Sequence, residues 1–411
     1  MRRKVFSALA TALGLALTIT TWAGPAAAAG KEPIKVGMLG PFTGSLAFNA
    51  GEMKKGMELA LEQINAKGGL FGRPVELVYG DTEAKPDRGV AAVKKLITRD
   101  EVLVVGGGYA SSVNIATSDV ANAERTPFVV AIAISPTITN RGLDFVFRTC
   151  PNSIQGLRGT NLWMENDRKP KTVAFFMENT DYGRDGEALW SAAAKKVGAK
   201  ELAHLYFEIG DTDFTTQISK LKELNPDLTF CIGSTTEQTL IMKQAKELSY
   251  VTQWIGAGGH FTEAFFKMTG PISQFAMGNS VEPTLNMRMP ETAAFVKAYG
   301  VKYPGARVGV FSGQGYDNAM VIFDAIARAG EPGPDLAKNR EKIRDALKTT
   351  NLKLSQGPIR FDQTGQVDSV NMSVVQVQLQ DCKPELRVIY PPELATAPYQ
   401  TPTPWDQREC K

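Results

Sequence analysis

From Ile34 onward the chain alternates short apolar runs with stretches of helical period, and it does so in two successive sets. Ile34-Lys-Val-Gly-Met-Leu39 is a strand-length run closed by Gly40-Pro41. Met53, Met57, Ala60, Leu61 and Ile64 then share one helical face that Gly68-Gly69 ends. Residues 74–79 read as a second strand, followed by a helix with Val90, Val93, Leu96 and Ile97 inward. Residues 102–105 are apolar throughout, as a parallel strand covered on both faces must be. A helix over about 111–124 and a strand over 128–132 complete the first set. The second runs as strand 173–176, helix 185–197, strand 205–209, a helix through Leu224, strand 228–232 and helix 237–248. Regular alternation builds βαβ units and parallel sheets. The fold class is therefore α/β, and two sets predict two doubly wound lobes. Later helices are expected from about Glu291, Asp317 and Asp335, and segments 359–362 and 372–379 read as adjacent strands.

The first thirty residues stand apart. Arg2, Arg3 and Lys4 precede an uncharged run from Val5 to Ile19, and Trp22, Gly24 and Pro25 lead into four alanines at 26–29. A basic start, a short apolar centre and a small-residue exit describe a cleavable export signal. The run is shorter than the roughly 20 residues that span a bilayer. Cleavage near Ala29 would release a soluble protein into the periplasm. The first cysteine is Cys150, so no lipid acceptor stands at the cleavage site.

Charge narrows the function. A formal net charge of +3 spread over the chain does not describe a nucleic-acid or membrane-surface protein. Pairs such as Lys94-Lys95 and Lys195-Lys196 read as solvated helix faces. The four cysteines, at 150, 231, 382 and 410, have no metal-site spacing, and export permits a disulfide. Cys231 lies in an apolar run and reads as a buried thiol. Cys382 and Cys410 flank a Pro-rich tail, 391–411, expected to be extended; pairing them would stabilise by ~3 kcal/mol on the chain-entropy account.

Catalytic patterns do not occur. Only two histidines are present, His204 and His260, and H-E-x-x-H, G-x-S-x-G and Walker patterns are absent. Gly106-Gly107-Gly108 lacks the G-x-G-x-x-G spacing of a dinucleotide loop. Instead, Ser111 and Ser112 follow it at a helix start, where unpaired backbone N–H groups can hold a carboxylate. The same serines could serve only as a helix cap. No enzyme activity and no cofactor are expected.

Ordered motifs along the chain carry a resemblance. Residues 34–44 (IKVGMLGPFTG), 56–60 (GMELA) and 64–74 (INAKGGLFGRP) resemble the opening of the leucine/isoleucine/valine-binding proteins, soluble receptors of ABC importers. Asp81-Thr82, Phe147-Arg-Thr149, Asp181-Tyr-Gly183, Asp213-Phe214, Asn225-Pro-Asp227 and residues 357–362 (GPIRFD) extend it over about 33–380. The resemblance implies the type I periplasmic binding protein fold, two α/β lobes joined by three crossovers with ligand enclosed between them. Carried over, lobe one is 31–148 and 279–357, and lobe two is 149–278 and 358–390. It also implies a monomer whose partners are a small ligand and membrane permease subunits.

The implied ligand residues follow one by one. Ser112, with Ser111 adjacent, would grip a carboxylate, and Ala133 and Ser135 would line the next strand end. Tyr182 would close over the ligand from lobe two; Tyr109 and Tyr316, the latter at an expected helix start, are further pocket candidates. One departure matters: Gly258 stands where amino-acid binders place an acid for the ligand ammonium. A buried ammonium without a counter-charge costs several kcal/mol. Either Glu237, Asp181 or Glu282 substitutes, or the ligand carries no ammonium and is an aromatic or aliphatic carboxylate or an amide. His260, beside Gly258, could contact such a ligand. The expected function is capture of a branched-chain or related amino acid for import, with an ammonium-free ligand, or a sensory receptor on the same scaffold, as alternatives.

Overall fold

The computed structural model describes residues 32–368, 372–408 and 410. The export signal expected over 1–29 lies outside them. Strands β1 (Ile34–Gly40), β2 (Val75–Asp81), β3 (Val105–Gly107), β4 (Phe128–Val130) and β5 (Val146–Arg148) form a parallel sheet in the order β2-β1-β3-β4-β5. Successive residues of its central strands enter opposite cores. Val104, Val129 and Ala131 pack on one face, while Val105, Phe128 and Val130 pack on the other. That double burial is why 102–105 carries no polar position. Each such side chain taken from water contributes about 1.5–3 kcal/mol.

Helices cover both faces of this sheet. Helices α2 (Pro86–Thr98) and α3 (Ser111–Ala123) lie against one, and α1 (Ala47–Ala66) against the other. The chain later supplies three more helices to this lobe: α9 (Pro290–Lys302), α10 (Val310–Ala329) and α11 (Leu336–Lys348). The approach of α1 to α10 requires glycine. A Cβ on Gly56 would sit 2.0 Å from the Ser312 carbonyl oxygen, and one on Gly315 would sit 2.1 Å from that of Met53.

The second sheet is larger and mixed. Strands β6 (Thr172–Glu178), β7 (Lys200–Phe207), β8 (Leu228–Gly233), β9 (Gln253–Gly258) and β10 (Met277–Ser280) run parallel; β13 (Ser373–Gln380) pairs antiparallel with β10 and with β14 (Lys383–Tyr390). The order is β14-β13-β10-β9-β8-β6-β7. Helices α4 (Ser153–Trp163) and α5 (Asp181–Lys196) sit over one face of it. Helices α6 (Thr215–Leu224), α7 (Thr235–Glu247) and α8 (Glu263–Thr269) sit over the other.

Two expectations near the C-terminus are corrected. Segments 359–362 and 372–379 are not neighbours: β12 (Gly357–Arg360) forms a separate hairpin with β11 (Asn351–Leu354). Nor do residues from 358 onward pass directly to the second lobe, because Ile359 and Val367 pack in the first core. Asp317 anchors this hairpin. Its carboxylate accepts the N–H groups of Ser355 (2.8 Å) and Gln356 (3.0 Å) and ties the hairpin turn to α10.

The tail lies on the second lobe. A disulfide joins Cys382 to Cys410 with Cα atoms 5.5 Å apart. Gln376 and Gln378 donate from β13 to the carbonyls of Gln400 (2.7 Å) and Pro398 (2.8 Å), and Trp405 donates to the Tyr250 carbonyl at 2.8 Å. Short 3-10 turns at Pro392–Leu394 and Trp405–Gln407 interrupt the expected extended run.

Candidate ligand site between the lobes

The C-terminal ends of both sets of parallel strands face one another, the crevice where open α/β sheets place ligands. Between them lies a cavity of about 150 Å³. The lobe-one wall comes from the loops after β3 and β4 and from the first turns of α3 and α10. The lobe-two wall comes from the ends of β6, β8 and β9 and the first turn of α5.

On the lobe-one side, the glycine run after β3 is knitted into the sheet. The Gly107 N–H donates to Asn318 of α10 at 3.0 Å, and the Asn318 amide donates to the Val129 carbonyl at 2.9 Å. One side chain thus aligns two strand ends and delivers Tyr109, Ser111 and Ser112 to the cavity. The Tyr109 hydroxyl accepts from Asn49 at 2.6 Å, and its ring stands edge-on to Phe311 at 5.4 Å. Helix α3 is capped by Ala110, whose side chain supplies no acceptor, so its first N–H groups have no side-chain cap. The loop carrying Ala133 is held by Arg148, which is fully buried. Arg148 donates to the carbonyls of Ala133 (3.0 Å) and Ser135 (2.6 Å), to Thr139 and to Gln366.

Two expected residues lie elsewhere. Ser135 is buried but does not line the cavity; its hydroxyl donates to the carboxylate of Asp185 on α5, a contact between lobes, and its N–H donates to Ser111. Tyr316 is also absent from the wall. Helix α10 starts at Val310 rather than Asp317, so Tyr316 falls in its second turn, facing α1 and α9. There its ring packs tilted against Phe295 at 4.8 Å and its hydroxyl donates to Gln63 at 2.8 Å. The residues that α10 does present are Val310, Phe311 and Gln314, which sequence reasoning missed because the helix start was placed late.

The lobe-two wall holds Tyr182, Gly258 and His260. Gly258 has φ of +83°, and a Cβ there would lie 2.8 Å from both the Gly233 carbonyl oxygen and the Tyr182 hydroxyl. No acid fits at this position. Nor do the three substitutes reach the wall. Glu237 accepts from the Gly210 N–H at 2.8 Å and from the Ser234 hydroxyl; Glu282 accepts twice from Arg307 at 2.8 and 2.9 Å; Asp181 is exposed. The acid that lines the cavity is Glu178, the last residue of β6. Burial, with a contribution from the charge of Glu237, pushes its carboxyl up to about 7 against the hydrogen bond from Thr180 at 2.7 Å. A lone charge closing an apolar strand was its sequence signal. His260 packs over Gly256 and against the Phe265 ring at 4.9 Å; burial pushes its imidazole down to about 3, so it is neutral.

Comparison with known proteins identifies the fold and the family. The family model described as periplasmic binding protein covers residues 33–383. A Leu/Ile/Val-binding protein homolog from Brucella abortus is 28% identical over 338 residues, covering 81% of this chain and 87% of its own. A leucine-, isoleucine-, valine-, threonine- and alanine-binding protein of Pseudomonas aeruginosa is 27% identical, covering 84% and 90%. Among solved structures, a leucine-binding protein from Thermotoga maritima superposes with a TM-score of 0.78 at 25% identity, covering 88% and 99%. A solute-binding protein of an R. palustris ABC transporter, in complex with benzoate, gives 0.78 at 20% identity, covering 90% and 98%. The chain belongs to the periplasmic binding protein family and shares the framework of its Leu/Ile/Val-binding members.

Proposed function

We propose that the protein is an exported solute receptor that captures a small monocarboxylate between its lobes and delivers it to an ABC permease. The observation that carries this reading is the cavity between the lobes with the uncapped start of α3, Ser111 and Ser112 in its wall. Helix N–H groups and the helix dipole favour an anion there. The rest of the lining, with Leu46, Ile132, Leu157, Phe261 and Phe311, suits an apolar body. Differential affinity for the closed lobes is then the whole of the work.

A branched-chain or related amino acid is one such ligand, favoured by Glu178, which could ionise to meet an ammonium. An ammonium-free acid is the other, favoured by the geometry at Gly258. The test is a thermal-shift screen of protein stripped by unfolding and refolding. A ligand at 100 times its dissociation constant adds about 2.7 kcal/mol and raises the midpoint by several degrees. Ser112→Ala should weaken the ligand that scores by more than tenfold in calorimetry; unchanged affinity would remove the α3 start from the site.

A further inference from the structure

The lobes also meet through charged groups outside the cavity wall. Glu263, the first residue of α8 in lobe two, touches lobe one twice. Its N–H donates to Glu52 of α1 at 3.2 Å, and its carboxylate accepts the N–H of Arg307, just before α10, at 3.3 Å. The Arg307 guanidinium lies over the ring of Phe266, one turn further along α8, at 4.5 Å. It also donates to both oxygens of Glu282, at 2.8 and 2.9 Å, on the connection between β10 and α9. Glu52, Glu263 and Glu282 are all buried, and among the described residues the Oε2 of Glu52 has no hydrogen-bond partner. Three carboxyl groups thus share Arg307 and the exposed Lys267, which pairs with Glu263. Phe266 stacks in turn on Phe261 of the cavity wall at 6.4 Å, so this contact and the wall are parts of one packed unit.

We propose that Glu52, Glu263, Glu282 and Arg307 form a latch that holds the lobes closed, and that a proton on Glu52 sets its strength, so that closure tightens in mild acid. This rests on the two-lobed receptor reading above and on no particular ligand. The reason is what surrounds Glu52 when the lobes are closed. Glu263 of α8 and Glu282 of the connection oppose a negative charge there, and Lys55 on its own helix favours one. Tyr299 of α9 and Tyr109 after β3 also feel that charge, and burial keeps both hydroxyls protonated. Burial is the largest influence on Glu52; with the two carboxylates it outweighs the Glu263 N–H and raises the carboxyl to about 7. Opening the lobes withdraws Glu263 and admits water, which returns Glu52 towards the ordinary 4.5. Closure therefore takes up a proton. Its advantage is complete below about pH 4.5 and is lost as pH rises through about 7. Above that, an ionised Glu52 with one unpartnered oxygen sits against two carboxylates, and a buried charge so poorly paired favours the open form.

The experiment is single-molecule energy transfer between a dye on α2 and a dye on α6 of the full mature chain, without ligand and with leucine or benzoate as probe. The closed-to-open ratio of the native chain should fall at least tenfold between about pH 5 and about pH 8. Glu52→Gln stands in for the protonated form; it should remain biased towards closure and remove most of that change. Glu263→Gln deletes a neighbouring charge while keeping the α8 N–H, so it should move the midpoint of the change to lower pH. It serves as the test if Glu52→Gln loses its cooperative unfolding transition. Glu178→Gln controls for the other carboxyl between the lobes that burial raises to about 7. A ratio constant with pH overturns the inference, as does a change that survives Glu52→Gln or one that Glu178→Gln removes instead. The unliganded profile decides the latch, so failure of both probes to move the ratio tells only against the two ligand classes proposed above.

Discussion

The two walls of the cavity are built on different principles. The lobe-one wall offers backbone and small side chains at one end, an uncapped helix start, two serines and Ala133 on loops held by Asn318 and Arg148, with the apolar Leu46, Ile132 and Phe311 beside them. Its Tyr109 hydroxyl is already partnered by Asn49. The lobe-two wall works through large side chains over glycine. Tyr182 and His260 occupy the space above Gly258 and Gly256, and burial keeps His260 neutral and raises the Glu178 carboxyl to about 7. A set of backbone donors reads a carboxylate, which every acid shares, whereas the large lining side chains shape the space for what distinguishes one acid from another. Selectivity should therefore respond more to substitution of those large side chains than to change at the α3 start.

The largest effect expected from this contrast follows Gly258→Asp, the change that would restore an acid beside the ligand. The position is left-handed and crowded by the Tyr182 hydroxyl, so a side chain costs strain of about 1–2 kcal/mol and displaces the closing tyrosine. Affinity for the native ligand should fall by more than a hundredfold with no leucine binding gained. Micromolar leucine binding by this variant, measured by calorimetry, would break the comparison by showing that the wall accepts a charged group.

How much of this was legible depended on which force set each feature. The α/β alternation could be read because strands such as β3 and β4 are buried on both faces and leave apolar runs. Ser111 and Ser112 were reached through the family resemblance, because serines at a helix start serve equally well as a cap; both line the cavity. Ser135 could not: its hydroxyl partner, Asp185, is fifty residues away on the other lobe, and nothing local records the contact. Tyr316 was misplaced because Val310-Phe-Ser-Gly-Gln-Gly contains two glycines and reads as loop, yet those residues form the first turns of α10, packed backbone to backbone on α1. Glu178 and Gln314 are single polar residues in otherwise ordinary elements. The charge that closes β6 singles out Glu178, whereas Gln314 is marked only by its place on the cavity wall.

Acidity sharpens the contrast from another side. Burial pushes Glu178 in lobe two and Glu52 and Asp317 in lobe one up to about 7. The folded protein thus keeps protons that the unfolded chain releases near pH 4–4.5, and stability falls as pH rises from about 4.5 to about 7. The unfolding midpoint of unliganded protein should drop by several degrees across that window and level off above it. Glu178→Gln and Glu52→Gln should each flatten the curve. Asp81 and Asp144, both held below the usual carboxylate range by their hydrogen bonds and, at Asp144, by Arg344 and Lys348, act only at lower pH. A midpoint that rises over the window would contradict the assignment.

Ser135 offers a smaller perturbation that spares both walls. Ser135→Ala removes its contact with Asp185 while leaving the Arg148 clamp, which uses the Ser135 carbonyl. A hydrogen bond to a charged group contributes about 1.5–3 kcal/mol, part of which the open form recovers from water. The unliganded population should shift towards open lobes, visible as a larger radius of gyration in small-angle scattering. Affinity should weaken by about three- to tenfold for every ligand alike, since the loss is in closure. A change in the rank order of ligands would place Ser135 in the selective wall instead.

The smallest effect is expected two residues beyond Gln314, on the opposite side of the same helix. Tyr316→Phe deletes the hydroxyl that donates to Gln63 and keeps the ring against Phe295. Stability should fall by about 1 kcal/mol, a midpoint loss of a few degrees at most, while affinity stays within twofold for any ligand. Gln314→Leu, by contrast, should change ligand affinity, the difference between lining the cavity and facing α1 and α9. A tenfold affinity loss in Tyr316→Phe, read by calorimetry beside the unfolding curve, would mean that the packing of α10 on α1 transmits to the cavity, and the division of that helix into a selective and a structural side would have to be abandoned.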